Sequence, residues 1–456
     1  MIFSLLIQAR RLGHLGPILI FITISLLTFI ALVIATINAR PIQDDYATLS
    51  LISNNGLFGY LRLMWESHGG NLTPMLINGL FLYPSLYELN FWALALFPLV
   101  NYALLVLSIF AASAVLNPFT TRSFKRIEIF TFANLVFLGS ESLFSPQLLE
   151  ITLFSSAVLV HLWPVLYFFL VLGLLNKQNK ISFALILVLG FMSGNSNIAE
   201  SLFIQLSCIL ILVSNKYRKS LQVKLIRLYV FAFSNLIGAL TIVMAPGFWA
   251  RAIEKNSQGL PDQFGEFVVR FAKSFLIFSA DIASHPMLLV FMIIGYKLSS
   301  RNGSFYSKTT GFAVLLFILL FLSLVLGASL AYPAWHQSIG LVVLAPFFGL
   351  SLGDWLGAKR KYSQRFEFVI YSLVILVVLI ALARAFLGIA CRSQQWDSAF
   401  THNACIVLSG KSESLIGTET IYPISNLGIE DMNRWPWMRD AFTEWVSNPK
   451  FSTIIC

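Results

Sequence analysis

The stretch PILIFITISLLTFIALVIATINARPIQDDY, residues 17 to 46, decides the architecture: an uncharged apolar run over about 17 to 37 gives way within a few residues to Arg40 and the pair Asp44-Asp45. About 20 apolar residues in a helix cross the hydrocarbon core of a bilayer, so the run reads as a membrane span. It is too long for the apolar part of a cleavable signal and lacks a small-residue cleavage pattern, so it is expected to stay as an anchor. The two carboxylates then fall at a membrane edge, where the chemistry is expected.

The rest of the chain agrees with that opening. Of 456 residues, 57% are hydrophobic and 11% charged, with a mean hydropathy of +0.78, outside the range of a soluble domain. The net charge of +10 comes from short basic clusters between apolar runs and never forms one basic face, which argues against nucleic acid. Further runs of spanning length lie at about 91 to 116, 157 to 175, 198 to 214, 225 to 245, 311 to 331, 337 to 353 and 367 to 388. Shorter ones at about 129 to 144, 181 to 193 and 284 to 297 make the loop charges alternate. The expectation is an all-α polytopic membrane protein of about eleven transmembrane helices. With the N-terminus inside, most of the 31 Lys and Arg fall in short cytoplasmic loops, and of the 21 acids only Glu128, Asp354 and Glu367 do. That asymmetry sets an N-in, C-out orientation.

Residues 263 to 283 carry Glu266, Arg270, Lys273 and Asp281 and read as an amphipathic helix at the outer interface, because a charge at the bilayer centre costs about 2.5–3.5 kcal/mol. The division is a transmembrane domain over 1–389 and a small extracytoplasmic segment over 390–456, where the apolar character fades. Of the four cysteines, Cys208, Cys391, Cys405 and Cys456, none has metal-site spacing. Cys391 and Cys405 would pair if the tail lies in an oxidising compartment; a reduced pair is the alternative.

In the first outer loop, 38 to 90, Pro41 and Asp44 mark a helix start, and Ile42, Tyr46, Leu49 and Ile52 recur at helical spacing until Asn54-Asn55-Gly56 breaks the run. A second helix follows at about 57 to 67 with Leu57, Tyr60, Leu61, Met64 and Trp65 as its apolar stripe. Both read as interfacial. Adjacent helix positions stand about 100° apart, so Asp44 and Asp45 cannot face one substrate alike. One serves as base while the other orients it, caps the helix or helps bind a divalent cation, Mg or Mn; a plain N-cap is the structural alternative.

This order of features resembles the GT-C superfamily of membrane glycosyltransferases, and more narrowly a poorly characterised family of bacterial polytopic membrane proteins. The matching pieces are QDDY at 43 to 46, Trp65 to Gly70, Glu150 to His161, Ser193 to Glu200, Ala245 to Arg251, Tyr332 to His336 and Asn433 to Trp437. The chain departs from that family's pattern at Gly70 and near His336, where Arg is common. The resemblance implies an inverting transfer of a sugar from a polyprenyl-phosphate donor to a cell-envelope glycan, lipid or protein. It implies a site on the outer side of a bacterial inner membrane, with Asp44 first and Asp45 second as base.

Other outer positions could complete such a site. Glu200, after the polar run Ser193 to Asn197, faces a cavity or cation, or makes a structural hydrogen bond or cap. Arg251 follows a Pro-Gly turn and suits either a phosphate or lipid headgroups. His336, His68 and Arg384 are further phosphate candidates, with a structural role as each histidine's alternative. No phosphate-binding glycine loop or HExxH occurs, so a lipid-borne donor fits better than a nucleotide sugar. A flippase or transporter, or a polymerase, of lipid-linked polysaccharide is the competing class.

Overall fold

The computed structural model describes residues 15–37, 39–41, 44–86, 91–116, 126–141, 157–220, 223–254 and 264–284, most of 288–296, then 309–330, 341–359, 400–409 and 436–447. Among these all regular structure is helical. The helices are α1 (Leu15–Ile37), α2 (Asp44–Leu63), α3 (Leu72–Leu82), α4 (Trp92–Leu116), α5 (Arg126–Glu141), α6 (Trp163–Leu174), α7 (Lys180–Gly194) and α8 (Ile198–Val213). They continue as α9 (Asn215–Ser220), α10 (Leu225–Met244), α11 (Pro246–Glu254), α12 (Phe264–Ser284), α13 (Thr309–Leu330), α14 (Leu341–Lys359) and α15 (Pro436–Val446). Two π-turns interrupt the pattern, Met64–His68 after α2 and Val158–Leu162 before α6. The span expected at 367 to 388 lies outside the described residues.

Trp92–Ser113 and Leu225–Met244 are long and apolar enough to cross a membrane, and shorter apolar helices accompany them. Their outward faces carry large apolar side chains, Phe29, Leu107, Leu187 and Ile237 among them. Between the helices, polar groups are paired locally. Tyr102 OH donates to Asn134 Oδ1 at 2.6 Å and Asn134 Nδ2 to Ser25 Oγ at 3.2 Å, tying α4, α5 and α1. Close approach of α7 and α10 depends on glycine: a Cβ on Gly194 or Gly238 would strike the backbone of the opposite helix. Small residues that let two helix backbones touch are a usual device where lipid, not water, surrounds the bundle.

The bundle has two ends. At one, Arg227 is buried and donates to Leu174 O, the last residue of α6, at 3.3 Å and to Asn179 O, the cap residue of α7, at 3.1 Å. Tyr217 of α9 packs on Phe312 of α13 at this end, with ring centroids 4.8 Å apart. α13 finishes at the other end, where a Cβ on Gly327 would lie 2.8 Å from that of Ala199 at the start of α8. That second end also carries the α7–α8 turn, the close of α10 and the helices of the first loop, through bonds described below.

There α2 shows the break read from Asn54-Asn55-Gly56: Gly56 has φ 69°, the left-handed conformation that glycine adopts without strain. What covers the apolar stripe of α2 is protein. Tyr46, Leu49, Ile52 and Tyr60 are buried in a small core with Leu82 and Leu86 after them and with Phe400, Phe442 and Trp445 of the tail. The tail helix α15 is pinned through Glu444, which accepts from Ser50 Oγ at 2.5 Å and Asn54 Nδ2 at 2.6 Å, while Trp445 Nε1 donates to Leu86 O at 3.2 Å. The segment beyond residue 390 therefore contributes a wall of the first loop's core. Cys405, next to that wall, is disulfide-bonded, with its partner outside the described residues.

Candidate functional site

The acidic pair opens α2. Asp45 is fully buried and accepts from Asn78 Nδ2 of α3 at 3.3 Å, whereas Tyr46 turns to the tail, edge-on to Phe442 at 5.8 Å. The consecutive positions thus face different neighbours, as a 100° step requires. Asp44 supplies the first residue of α2, and its side chain lies outside the described residues.

From α2 the chain runs through the exposed pair Arg62–Glu66, 2.8 Å apart, into the π-turn that ends at His68, which is exposed. A Cβ on Gly247 would strike the backbone of Ser67 and His68, so α11 sits directly on this turn. Gly70 then takes φ 75°, and a Cβ there would strike that of Ala245. Where the resembled pattern carries Arg, this chain leaves room only for glycine.

Asn195, in the α7–α8 turn, locks three segments together. Its Oδ1 accepts from Thr73 N at 2.6 Å, and its Nδ2 donates to Thr241 Oγ1 at 2.7 Å and to Gly70 O at 3.3 Å. The start of α3, the end of α10 and the start of α8 are therefore held at one end. Beneath, Asn235 Oδ1 accepts from Ser201 Oγ and Gln205 Nε2, each at 2.8 Å, and its Nδ2 donates to Ser193 Oγ at 3.0 Å. This polar layer joins α7, α8 and α10.

Two residues on, Asn197 caps α8, its Oδ1 accepting from Ala199 N at 2.8 Å. The spacing Asn197-x-x-Glu200 is that of a capping box, in which Glu200 would close back on the cap. Instead Glu200, fully buried, accepts through Oε1 from His161 Nδ1 at 2.8 Å. A carboxylate only accepts, so Nδ1 carries the hydrogen, an assignment made from this geometry. Asn197 Nδ2 stands 3.4 Å from the same nitrogen, too far to compete. Glu200 Oε2 is buried with no hydrogen-bond partner among the described residues.

The structure thus joins Glu200 to His161 and, through Asn195 and Gly70, to the turn that carries His68. Arg251 lies on α11, with its side chain outside the described residues, and His336 and Arg384 lie wholly outside them. No group of three or more His, Cys, Asp or Glu suited to a metal occurs among the described residues. The pairing of His161 with Glu200 was not read from sequence; its signals were a lone histidine in an otherwise apolar run at 157 to 175 and its place at the end of the piece Glu150 to His161. Compared with protein-family models, curated proteins and solved structures, the chain matches none.

Proposed function

We propose that this chain is an integral membrane glycosyltransferase that moves a sugar, with inversion, from a polyprenyl-phosphate donor to a glycan, lipid or protein acceptor on the outer face of the membrane. The observation that carries the reading is the acidic opening of α2, seated on a rigid platform of α3 and α15 at the end of an apolar helical bundle. Asp44 takes the proton as the acceptor oxygen bonds to the anomeric carbon and the bond from that carbon to the lipid phosphate breaks. Asp45, turned to Asn78, positions the start of the helix. His68, Arg251, His336 and Arg384 are the proposed groups for the departing phosphate.

The sidedness has independent support. The disulfide of Cys405 fits an oxidising compartment at the platform end, and Lys180, Arg218, Lys219, Lys224 and Arg227 cluster at the opposite end, as the positive-inside rule expects of a cytoplasmic face. Asp44→Asn, measured by mass spectrometry of transferred sugar with polyprenyl-phosphate donors, is expected to lower transfer about 10²- to 10⁴-fold, the usual contribution of a general base. Unchanged products from a properly inserted variant would overturn the proposal.

A transporter of lipid-linked glycans is the second reading, favoured by the ionisable pair His161–Glu200 inside the bundle. It predicts vectorial movement of intact lipid-linked sugar in proteoliposomes without any new glycosidic bond.

A further inference from the structure

Glu200 has two acceptor oxygens and uses one of them. Its carboxylate is 0% exposed, Oε1 is taken by His161, and Oε2 meets no partner among the described residues. Leaving a buried acceptor unpaired is costly, so a native chain that retains one has a reason. Glu200 stands in the first turn of α8, and a carboxyl group offers lone pairs on both oxygens for several hydrogen bonds. The cheaper arrangement, closing the capping box on Asn197, was available and is not used. His161 instead reaches Glu200 from a π-turn, a local insertion often found at functional sites, and its Nδ1 hydrogen fixes the plane of the carboxylate.

The missing partner is a donor. A divalent cation at Oε2 would seek further oxygen ligands, and no group of three His, Cys, Asp or Glu suited to a metal stands among the described residues. A neutral hydroxyl needs no further ligands, and its single hydrogen satisfies the bare oxygen. We propose that Glu200 Oε2 receives a hydroxyl of the sugar ring carried by the donor lipid, and that His161 is the positioning residue that aims it. This assignment rests on the glycosyl-transfer reading above.

The test uses the full chain in detergent or proteoliposomes with polyprenyl-phosphate mannose, glucose and galactose and the monodeoxy analogues of each. For the preferred sugar, one deoxy position lowers wild-type kcat/KM about 10- to 100-fold, as loss of a hydrogen bond to a charged group does. Glu200→Gln shows a similar loss on the intact sugar and little more on that deoxy analogue. His161→Asn, which keeps an N–H near the place of Nδ1, retains most of the discrimination, and His161→Leu loses it. Should Glu200→Gln fail to insert, the two His161 variants carry the same comparison. If every deoxy donor loses the same factor with wild type and variants, the assignment is overturned while glycosyl transfer stands. If the wild type neither binds nor transfers any of these sugars, the glycosyl-transfer reading falls and takes the assignment with it.

Discussion

Asp45 and Glu200 are both carboxylates with no exposed surface at the same end of the bundle, and they are treated in opposite ways. Asp45 stands at the start of α2, whose next residue, Tyr46, packs on Phe442 and Trp445; it accepts from Asn78 and belongs to a platform fastened by the tail. Glu200 stands at the edge of a polar layer, joined to one histidine, with an oxygen left bare among the described residues. On the reading proposed above, Asp45 holds the start of its helix and Glu200, left a donor short, receives the ligand. Burial does not separate the two, and each accepts one bond described above; what differs is that Glu200 Oε2 is buried with no partner among the described residues.

The frame around Glu200 offers the largest expected effect. In Gly194→Ala the new Cβ would strike the Asn235 carbonyl, so α7 and α10 must part and the layer that holds Ser201 and Gln205 is disturbed. We expect a loss of about 3 kcal/mol, the upper end of the usual cost of overpacking, read as a lower melting temperature in detergent. An unaltered melting temperature would show that the frame does not depend on backbone contact.

Next comes Asp45→Ala, which strips Asn78 of its acceptor and is expected to cost about 1.5–3 kcal/mol, the range for a hydrogen bond to a charged group. Full stability combined with lost transfer would reverse the assignment and make Asp45 the reacting carboxylate. The smallest change in stability, and the sharpest contrast, is Glu200→Gln. It keeps the shape and a bond to His161, so stability should stay within about 0.5 kcal/mol of wild type. A loss as large as that of Asp45→Ala would place Glu200 among the structural carboxylates.

Much of the platform was legible in the sequence because its signals are local. The helix start at Asp44, the break at Gly56 and the turn at Ala245-Pro246 follow from backbone conformations that particular residues favour or forbid. Illegible were the partners. The apolar stripe of α2 reads equally as a face for lipid or for protein, and the tail helix supplied the protein from 394 residues away, as the Ser50–Glu444 bond shows. Asn197-x-x-Glu200 reads as a capping box, and only the arrival of His161, 39 residues earlier, diverts the carboxylate.

The sequence by itself determined a helical chain of uncommon hydropathy, the start and break of the first helix in its first loop, and an acidic pair at the edge of an apolar run, since hydropathy and helical periodicity are sums over neighbouring residues; the helix Leu72–Leu82 of the same loop was not read from it. Tertiary structure alone decided which of the buried carboxylates is satisfied and that the tail closes over the first loop. It also decided that Glu200 serves a histidine rather than its own helix. A hydrogen bond between distant segments exists only where two faces meet, and which faces meet depends on the packing of the whole bundle.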